Sequence, residues 1–267
     1  MKQNLGQYYD ESADFQKAQF NSLIQLIRDN VPCDKVKNLI DIGSGSGGRT
    51  FELLDVFPSL TNITAVEPDF EMQSVAREKY NDPRIDYQQM GAEDISSLQG
   101  KTPDFDAIFS NWAIHWIEDK EKLMSDLDPM TTNAPYLMIS TCERLPEILV
   151  DIDQYVRAEL LMPSNTAYPW YYLTREEWTA LLEKHGLTML EIKNYTTPHN
   201  TRDAREYLEH WFAASTAKFL YGRQMEQISD LSLSDLTWFI EQKYGDPNHE
   251  GGLAFDEDVI FMVARKI

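Results

Sequence analysis

The stretch "NLIDIGSGSGGRTFELLDVF", residues 38–57, decides the fold. "NLIDI" (38–42) is a short apolar run of strand character, and "GGRTFELLDVF" (47–57) has helical spacing with Arg49, Glu52 and Asp55 on its polar side. Between them lies a knot of glycines and serines. A strand that passes through such a bend into a helix brings bare backbone N–H groups up to a ligand, because a Cβ at those positions would obstruct the approach. Gly43, Gly45 and Gly48 satisfy the spacing G-x-G-x-x-G, which alone is a weak sign of a nucleotide site.

Outward from this unit the same rhythm repeats. "NITAVEP" (62–68), "RIDYQQM" (84–90), "FDAIFSN" (105–111) and "PYLMIST" (135–141) read as further strands, separated by "FEMQSVAREKY" (70–80) and "DKEKLMSDL" (119–127), which read as helices. "LTREEWTALLEKHG" (173–186) carries Thr174 as N-cap, Glu177 at the capping-box position and Gly186 as C-cap. "LTMLEIKNY" (187–195) and "EDVIFMVARKI" (257–267) complete a set of seven strands, and "DFQKAQFNSLIQLIRD" (14–29) a leading helix. The expected fold class is therefore α/β: a Rossmann-like, doubly wound seven-stranded sheet, mostly parallel, in one domain spanning 1–267. Residues 1–35 read as an N-terminal helical lid segment. Residues 198–252 read as a helical cap inserted before the last strand, containing "REYLEHWFAASTAKFL" (205–220) and "SDLTWFIEQKYG" (234–245), with "GDPNHEGG" (245–252) a loop of mobile composition.

Charge narrows the partners. With 44 acidic against 24 basic side chains the chain carries -20 at neutral pH, so its far field repels nucleic acid and anionic lipid. The acids crowd from Glu226 to Asp258, which reads as a solvated face. Cys33 and Cys142 lie far apart outside any ligand-spaced cluster, so neither a disulfide framework nor a metal site is expected. No apolar run approaches membrane-spanning length and the N-terminus does not read as an export signal, so a cytoplasmic protein is expected. The oligomeric state is not legible.

Three features choose the ligand. Asp41 ends the first strand two residues before Gly43, where its carboxylate repels a pyrophosphate and attracts a ligand bearing an ammonium and a sulfonium. Glu67, twenty-four residues past Gly43, ends the second strand where an acid accepts the two hydroxyls of a ribose. No second glycine-rich half is present to hold a nicotinamide mononucleotide. The expected cofactor is S-adenosyl-L-methionine. Asp41, Gly43, Gly45 and Gly47 also meet "(D/E)-x-G-x-G-x-G", and on these residues the chain resembles the class I S-adenosylmethionine-dependent methyltransferases, from about Tyr8 to "FMVARK" (261–266), whose last strand is antiparallel. "FDAIFSNWAIHWIED" (105–119) is similar to the small-molecule branch containing trans-aconitate, malonyl-carrier-protein and juvenile-hormone-acid O-methyltransferases. The resemblance implies that Asp41 and the loop with Ser44 take the methionine moiety, that Glu67 beside Pro68 takes the ribose, and that Asp69 and Met72 line the nucleoside pocket. It implies adenine contacts from the segment of Ala92, Glu93 and Asp94, although Gly91 stands where the family places an acid. Asn111 and Trp112 complete the implied cofactor side.

Trp112, His115 and Trp116 share one face if a helical turn follows "FSN", at the edge of the crevice where open α/β sheets bind ligands. His115, Gln16 and Trp116 are the candidate catalytic residues. "YPWYYLTREEW" (168–178) supplies aromatics for an apolar acceptor pocket. The expected activity is methylation of a small molecule, with a carboxylate oxygen as acceptor on family likeness. Three alternatives stand beside it: an N- or hydroxyl-O-methyltransferase with His115 as base, a nicotinamide oxidoreductase, and a protein that binds the cofactor without turnover.

Overall fold

A computed structural model describes residues 14–159, 170–201, 203–213 and 233–267. In chain order the elements are α1 (Asp14–Asn30), β1 (Asn38–Ile42), α2 (Gly48–Val56), β2 (Asn62–Val66), α3 (Phe70–Lys79), β3 (Ile85–Gln88), β4 (Phe105–Asn111), α4 (Lys120–Leu127), β5 (Thr131–Thr141), α5 (Glu147–Glu159), α6 (Arg175–Lys184), β6 (Leu187–Thr201), α7 (Ala204–Ala213), α8 (Leu233–Tyr244) and β7 (Leu253–Lys266). Short 3-10 turns cover Ala92–Leu98, Ile114–Trp116 and Asp128–Met130.

The strands form one sheet in the order β3-β2-β1-β4-β5-β7-β6. β1 pairs in parallel with β2 and β4, placing Asp41 beside Ala65 on one side and Phe109 on the other. β7 returns antiparallel to β5, with Tyr136 opposite Arg265. The sequence order reverses between β1 and β4, so the crevice of the fold opens past the carboxyl ends of these two strands.

Period-two alternation sorts the strand residues to the two faces. Leu39, Ala107, Phe109, Met138, Phe261 and Val263 pack with Phe20, Leu23 and Ile27 of α1 and with Leu53 of α2. Ile40, Ile42, Ile108, Leu137, Ile139 and Met262 pack on the other face with Leu123 and Leu127 of α4 and Trp178 and Leu182 of α6. A helix cover on both faces is what keeps these central strands apolar throughout. At roughly 1.5–3 kcal/mol for each fully buried large apolar side chain, the two layers dominate the stability of the sheet.

By its internal contacts the chain divides into two compact units. The sheet unit takes in residues 16–143, 170–195 and 259–267. The described parts of residues 1–15, 144–169 and 196–258 belong to the other, in which Ile148, Ile152, Leu208, Leu236, Ile240 and Leu253 are buried. There Lys243 bridges Glu147 and Asp151. The segment 245–252 is a closed turn, with Gly245 bridged to Leu253 and Asp246 N–H donating to the Gly252 carbonyl at 2.9 Å. Helix α5 is absent from the pattern read in the sequence, although Ile148, Ile152 and Val156 recur at the spacing of one buried helical face. Among the described residues no helix is long and apolar enough to cross a membrane.

Candidate functional site

The glycine loop leaves β1 and enters α2 with three residues in the left-handed region: Gly43 at φ +79, Gly45 at +55 and Gly47 at +86. Each needs glycine on conformation alone. A Cβ on Gly43 would fall inside the Ala113 methyl, and one on Gly47 would stand 2.7 Å from the Ala76 Cβ and 2.9 Å from the Tyr87 hydroxyl. At Gly45 a Cβ would meet nothing within 4 Å, so that backbone borders open space. Gly48 is different. It begins α2 in a helical conformation and has no positive φ. The backbone therefore follows the spacing G-x-G-x-G of residues 43, 45 and 47, and the dinucleotide spacing ending at Gly48 is incidental.

Two acids flank this loop. Asp41 is 2% exposed and accepts a 2.6 Å hydrogen bond from Thr50 Oγ1. Burial pushes its carboxyl up to about 7; the Thr50 hydroxyl pulls against that rise and the Glu67 carboxylate adds to it. Glu67, also buried, accepts from Gly45 N–H at 3.0 Å through Oε2 and from Asp69 N–H at 2.9 Å through Oε1. Burial raises its pKa as well, opposed by those two amides. Glu67 thus ties the loop to the start of α3. Asp69 has a different role from the one its position suggests: its carboxylate caps α3 by accepting from Glu71 N–H and Met72 N–H. Met72 is buried behind it and Pro68 is exposed beside it.

Ser44 Oγ is buried in the loop without a hydrogen-bond partner among the described residues. A buried, unsatisfied hydroxyl beside an open glycine backbone and two buried carboxyl groups, which accept hydrogen bonds, is a set that a polar, cationic ligand completes. These residues fit S-adenosylmethionine and leave little place for a pyrophosphate. After β3, Gly91 adopts an ordinary extended conformation, and the Glu93 carboxylate folds back into the space a Cβ on Gly91 would take. Ala92, Glu93 and Asp94 open the 3-10 turn that follows.

A cluster of aromatic rings is built around His115. Trp112 does not join a helical face with His115 and Trp116. It sits in the left-handed region at φ +56, outside the 3-10 turn, an unusual conformation for a bulky residue. It is held there from two directions: its N–H donates to the Ser140 carbonyl at 3.1 Å and its indole Nε1 to Gln19 Oε1 at 2.9 Å. The three side chains still converge, with the His115 ring 6.0 Å from Trp112 and 5.7 Å from Trp116. Tyr172 stacks on His115 at 5.3 Å, and Trp170 lies 5.6 Å from Trp116. His115 is 5% exposed, with Thr141 Oγ1 3.4 Å from its Nδ1. Burial, and secondarily the charge of Lys120, lower its pKa to about 3. Asn111 ends β4 half-buried, its Oδ1 accepting from Ser140 Oγ at 2.8 Å.

Gln16 belongs to the first turn of α1, and its side chain lies outside the described residues, as do Tyr8, Tyr9 and Tyr168 altogether. Gln19, one helical turn on, is the glutamine that the structure does bring to the site. Nothing in the sequence pattern separates these two glutamines. Among the described residues no group of acids, histidines and cysteines is arranged to hold a metal ion.

Residues 40–134 match a family model described as "Methyltransferase domain". A malonyl-[acyl-carrier protein] O-methyltransferase of Neorickettsia risticii is 34% identical over 113 residues, which is 40% of this chain and 40% of that protein. A second protein of that name, from Bacillus cereus, is 26% identical over 133 residues, 50% of this chain and 48% of its own length. The chain therefore spans half or less of these curated relatives. Among solved structures, a Bacillus halodurans C-125 protein described provisionally as a methyltransferase superposes with a TM-score of 0.57 at 17% identity, covering 92% of this chain and 99% of that one. The fold is shared with that solved structure, and residues 40–134 match a methyltransferase domain.

Proposed function

We propose, from the methyltransferase domain that residues 40–134 form, that the protein transfers a methyl group to the carboxylate of a small molecule. S-adenosylmethionine, when bound, supplies the electrophilic methyl on its sulfonium. Asp41, the loop Gly43–Gly47 with Ser44 Oγ, and Glu67 would hold it. Glu93, folded over Gly91, would take the adenine amino group in place of the missing acid. The chain's own task is to orient an acceptor and keep water out, and positioning of this kind lowers a barrier by roughly 7–11 kcal/mol. We read the chain as one working methyltransferase domain in the cytoplasm, with residues 1–35 as lid and 198–252 as cap.

The buried, ring-stacked setting of His115 is the observation that favours a carboxylate. An imidazole held to a pKa of about 3 is neutral throughout the physiological range and is a weak proton acceptor there. A hydroxyl or ammonium acceptor needs a proton removed, and His115 is poorly suited to take it. A carboxylate already holds the electron pair it donates, so neutral His115 and the indole of Trp116 have only to orient it. The relatives named above act, by their names, on a malonyl group carried by a protein. With a charge of -20 this chain is a poor match to an acidic carrier, and a free, partly apolar acid fits its aromatic wall better.

The test is incubation with methyl-labelled S-adenosylmethionine and a metabolite extract. A product that releases volatile label in mild alkali is a methyl ester; an alkali-stable product means an N- or ether-methylating enzyme. Stabilisation against heat by a nicotinamide dinucleotide, and none by S-adenosylmethionine, would turn the reading to an oxidoreductase. Absence of any labelled product with tight cofactor binding would leave a binding protein.

His115→Gln separates the acceptor chemistries. With a carboxylate acceptor, kcat is expected to fall by less than about tenfold and its pH profile to lack a limb near the ordinary histidine value. Loss of a general base would instead cost roughly 10²–10⁴ in rate.

A further inference from the structure

Lys120 opens α4 within the sequence "EDKEK", where a lysine reads as one more solvated charge. The structure buries it to 5% exposure. This is an unfavourable place for a cation, since the N-terminus of a helix carries the positive end of its dipole. Two carbonyls compensate. Lys120 Nζ donates to Ile117 O at 2.7 Å and to Tyr171 O, which belong to separate segments of the chain. Ile117 closes the turn carrying His115 and Trp116, and Tyr171 sits between Trp170 and Tyr172. A third bond completes the junction, Tyr171 N–H donating to the His115 carbonyl at 2.7 Å.

The ring contacts repeat that pairing. Tyr172 stacks on His115 and Trp170 leans on Trp116, so each half of the aromatic wall comes from one of the two segments. Without Lys120 the halves would keep only those ring contacts and the single bond from Tyr171 N–H to the His115 carbonyl to hold their register. From this geometry we propose that Lys120 is a positioning residue for the methyl acceptor: its ammonium staples the post-β4 turn to residues 170–172 and so sets the width and shape of the aromatic wall. The inference deepens, and rests on, the small-acid reading above. Lys120 acts through the rings it aligns. Its burial, which lowers its pKa to about 8, fits a group held in place by carbonyls, with no carboxylate bonded to it among the described residues.

The test compares wild type with Lys120→Met, and with Lys120→Cys before and after alkylation by 2-bromoethylamine, which restores an ammonium on a chain of lysine length. Straight-chain monocarboxylates from butanoate to dodecanoate serve as acceptors under saturating S-adenosylmethionine. The expected result for Lys120→Met is an acceptor KM raised about tenfold or more, with kcat within about threefold and the S-adenosylmethionine Kd within about twofold. Aminoethylation of the cysteine variant should recover most of the KM. An unchanged acceptor KM, a cofactor Kd that rises in step with it, or no recovery on aminoethylation each overturns the proposal. If the methionine variant does not fold, Lys120→Gln, which keeps N–H donors, takes its place.

If wild type methylates none of these acids, it is the choice of straight-chain acceptors that fails. The staple is then judged by acrylamide quenching of tryptophan fluorescence. Quenching that increases in Lys120→Met at unchanged far-ultraviolet circular dichroism supports it, and equal quenching in the two proteins overturns it.

Discussion

Alanine at Gly43 is expected to destabilise the protein by about 2–5 kcal/mol and to abolish measurable binding of S-adenosylmethionine, while alanine at Gly48 leaves both nearly unchanged. The first figure has two parts. Holding an L-residue at φ +79 costs roughly 1–2 kcal/mol, and forcing a methyl into a packed site costs roughly 1–3 more. The displaced neighbour is Ala113, which leads into the turn of His115, so the damage reaches both the glycine loop and the ring cluster around His115. Gly47→Ala should behave as a milder version, because the Ala76 Cβ and the Tyr87 hydroxyl stand at 2.7 and 2.9 Å and φ is +86. Gly48 already has a helical backbone, where alanine is preferred over glycine by up to about 1 kcal/mol. Thermal melts and calorimetric titration of the three variants check the series. Equal damage from Gly47→Ala and Gly48→Ala would mean that the loop geometry described above is wrong.

That series also shows where the sequence runs out. Asp41, the glycine triplet and Glu67 are legible because each residue type has a local reason to stand where it does, a strand end or a left-handed bend. The strands are legible because alternation along β1, β4 and β5 sends neighbours to opposite covered faces. Which glycine closes the loop, 47 or 48, is not legible, since both spacings fit and only the backbone conformation separates them. The left-handed Trp112 carries no sequence mark at all. Its conformation is enforced by Ser140 and Gln19, far away in the chain. Lys120 is hidden for the same reason: its partners, Ile117 and Tyr171, are brought together by tertiary structure. Helix α5 left a signal, Ile148, Ile152 and Val156 with the pair Asp153–Arg157 at i, i+4, but no glycine stop frames it.

Asp41→Asn is expected to weaken S-adenosylmethionine binding by about 2–5 kcal/mol, a factor of roughly 30 to several thousand, and at the same time to stabilise the ligand-free protein near pH 8. The two effects have one cause. Asp41 is buried beside Thr50, with Glu67 and the Tyr87 hydroxyl as the other titratable groups coupled to it, and none of these is a cation. In the unfolded chain its carboxyl ionises near 3.9; in the folded one it does so near 7. Between those values the folded state holds the extra proton, so this group's contribution to stability falls as pH rises and is lost above about 7. The shift corresponds to roughly 4 kcal/mol at most, since each unit is about 1.4 kcal/mol. Asparagine, neutral at every pH, carries no such penalty.

A ligand ammonium supplies the missing cation and restores the ionised form. Binding by the wild type should therefore release a proton below about pH 7, and its affinity should climb by up to about tenfold per pH unit there and level off above. In Asp41→Asn this slope should vanish. Calorimetric titrations in two buffers of different ionisation enthalpy count the proton directly, and melts of both ligand-free proteins at about pH 5.5 and 8 read the stability. A variant less stable than wild type at both pH values would assign Asp41 a structural role through Thr50. A variant that binds as tightly as wild type would remove the carboxylate from the methionine site. Stabilisation without ligand combined with loss of affinity is the signature of a charge held buried for its ligand alone.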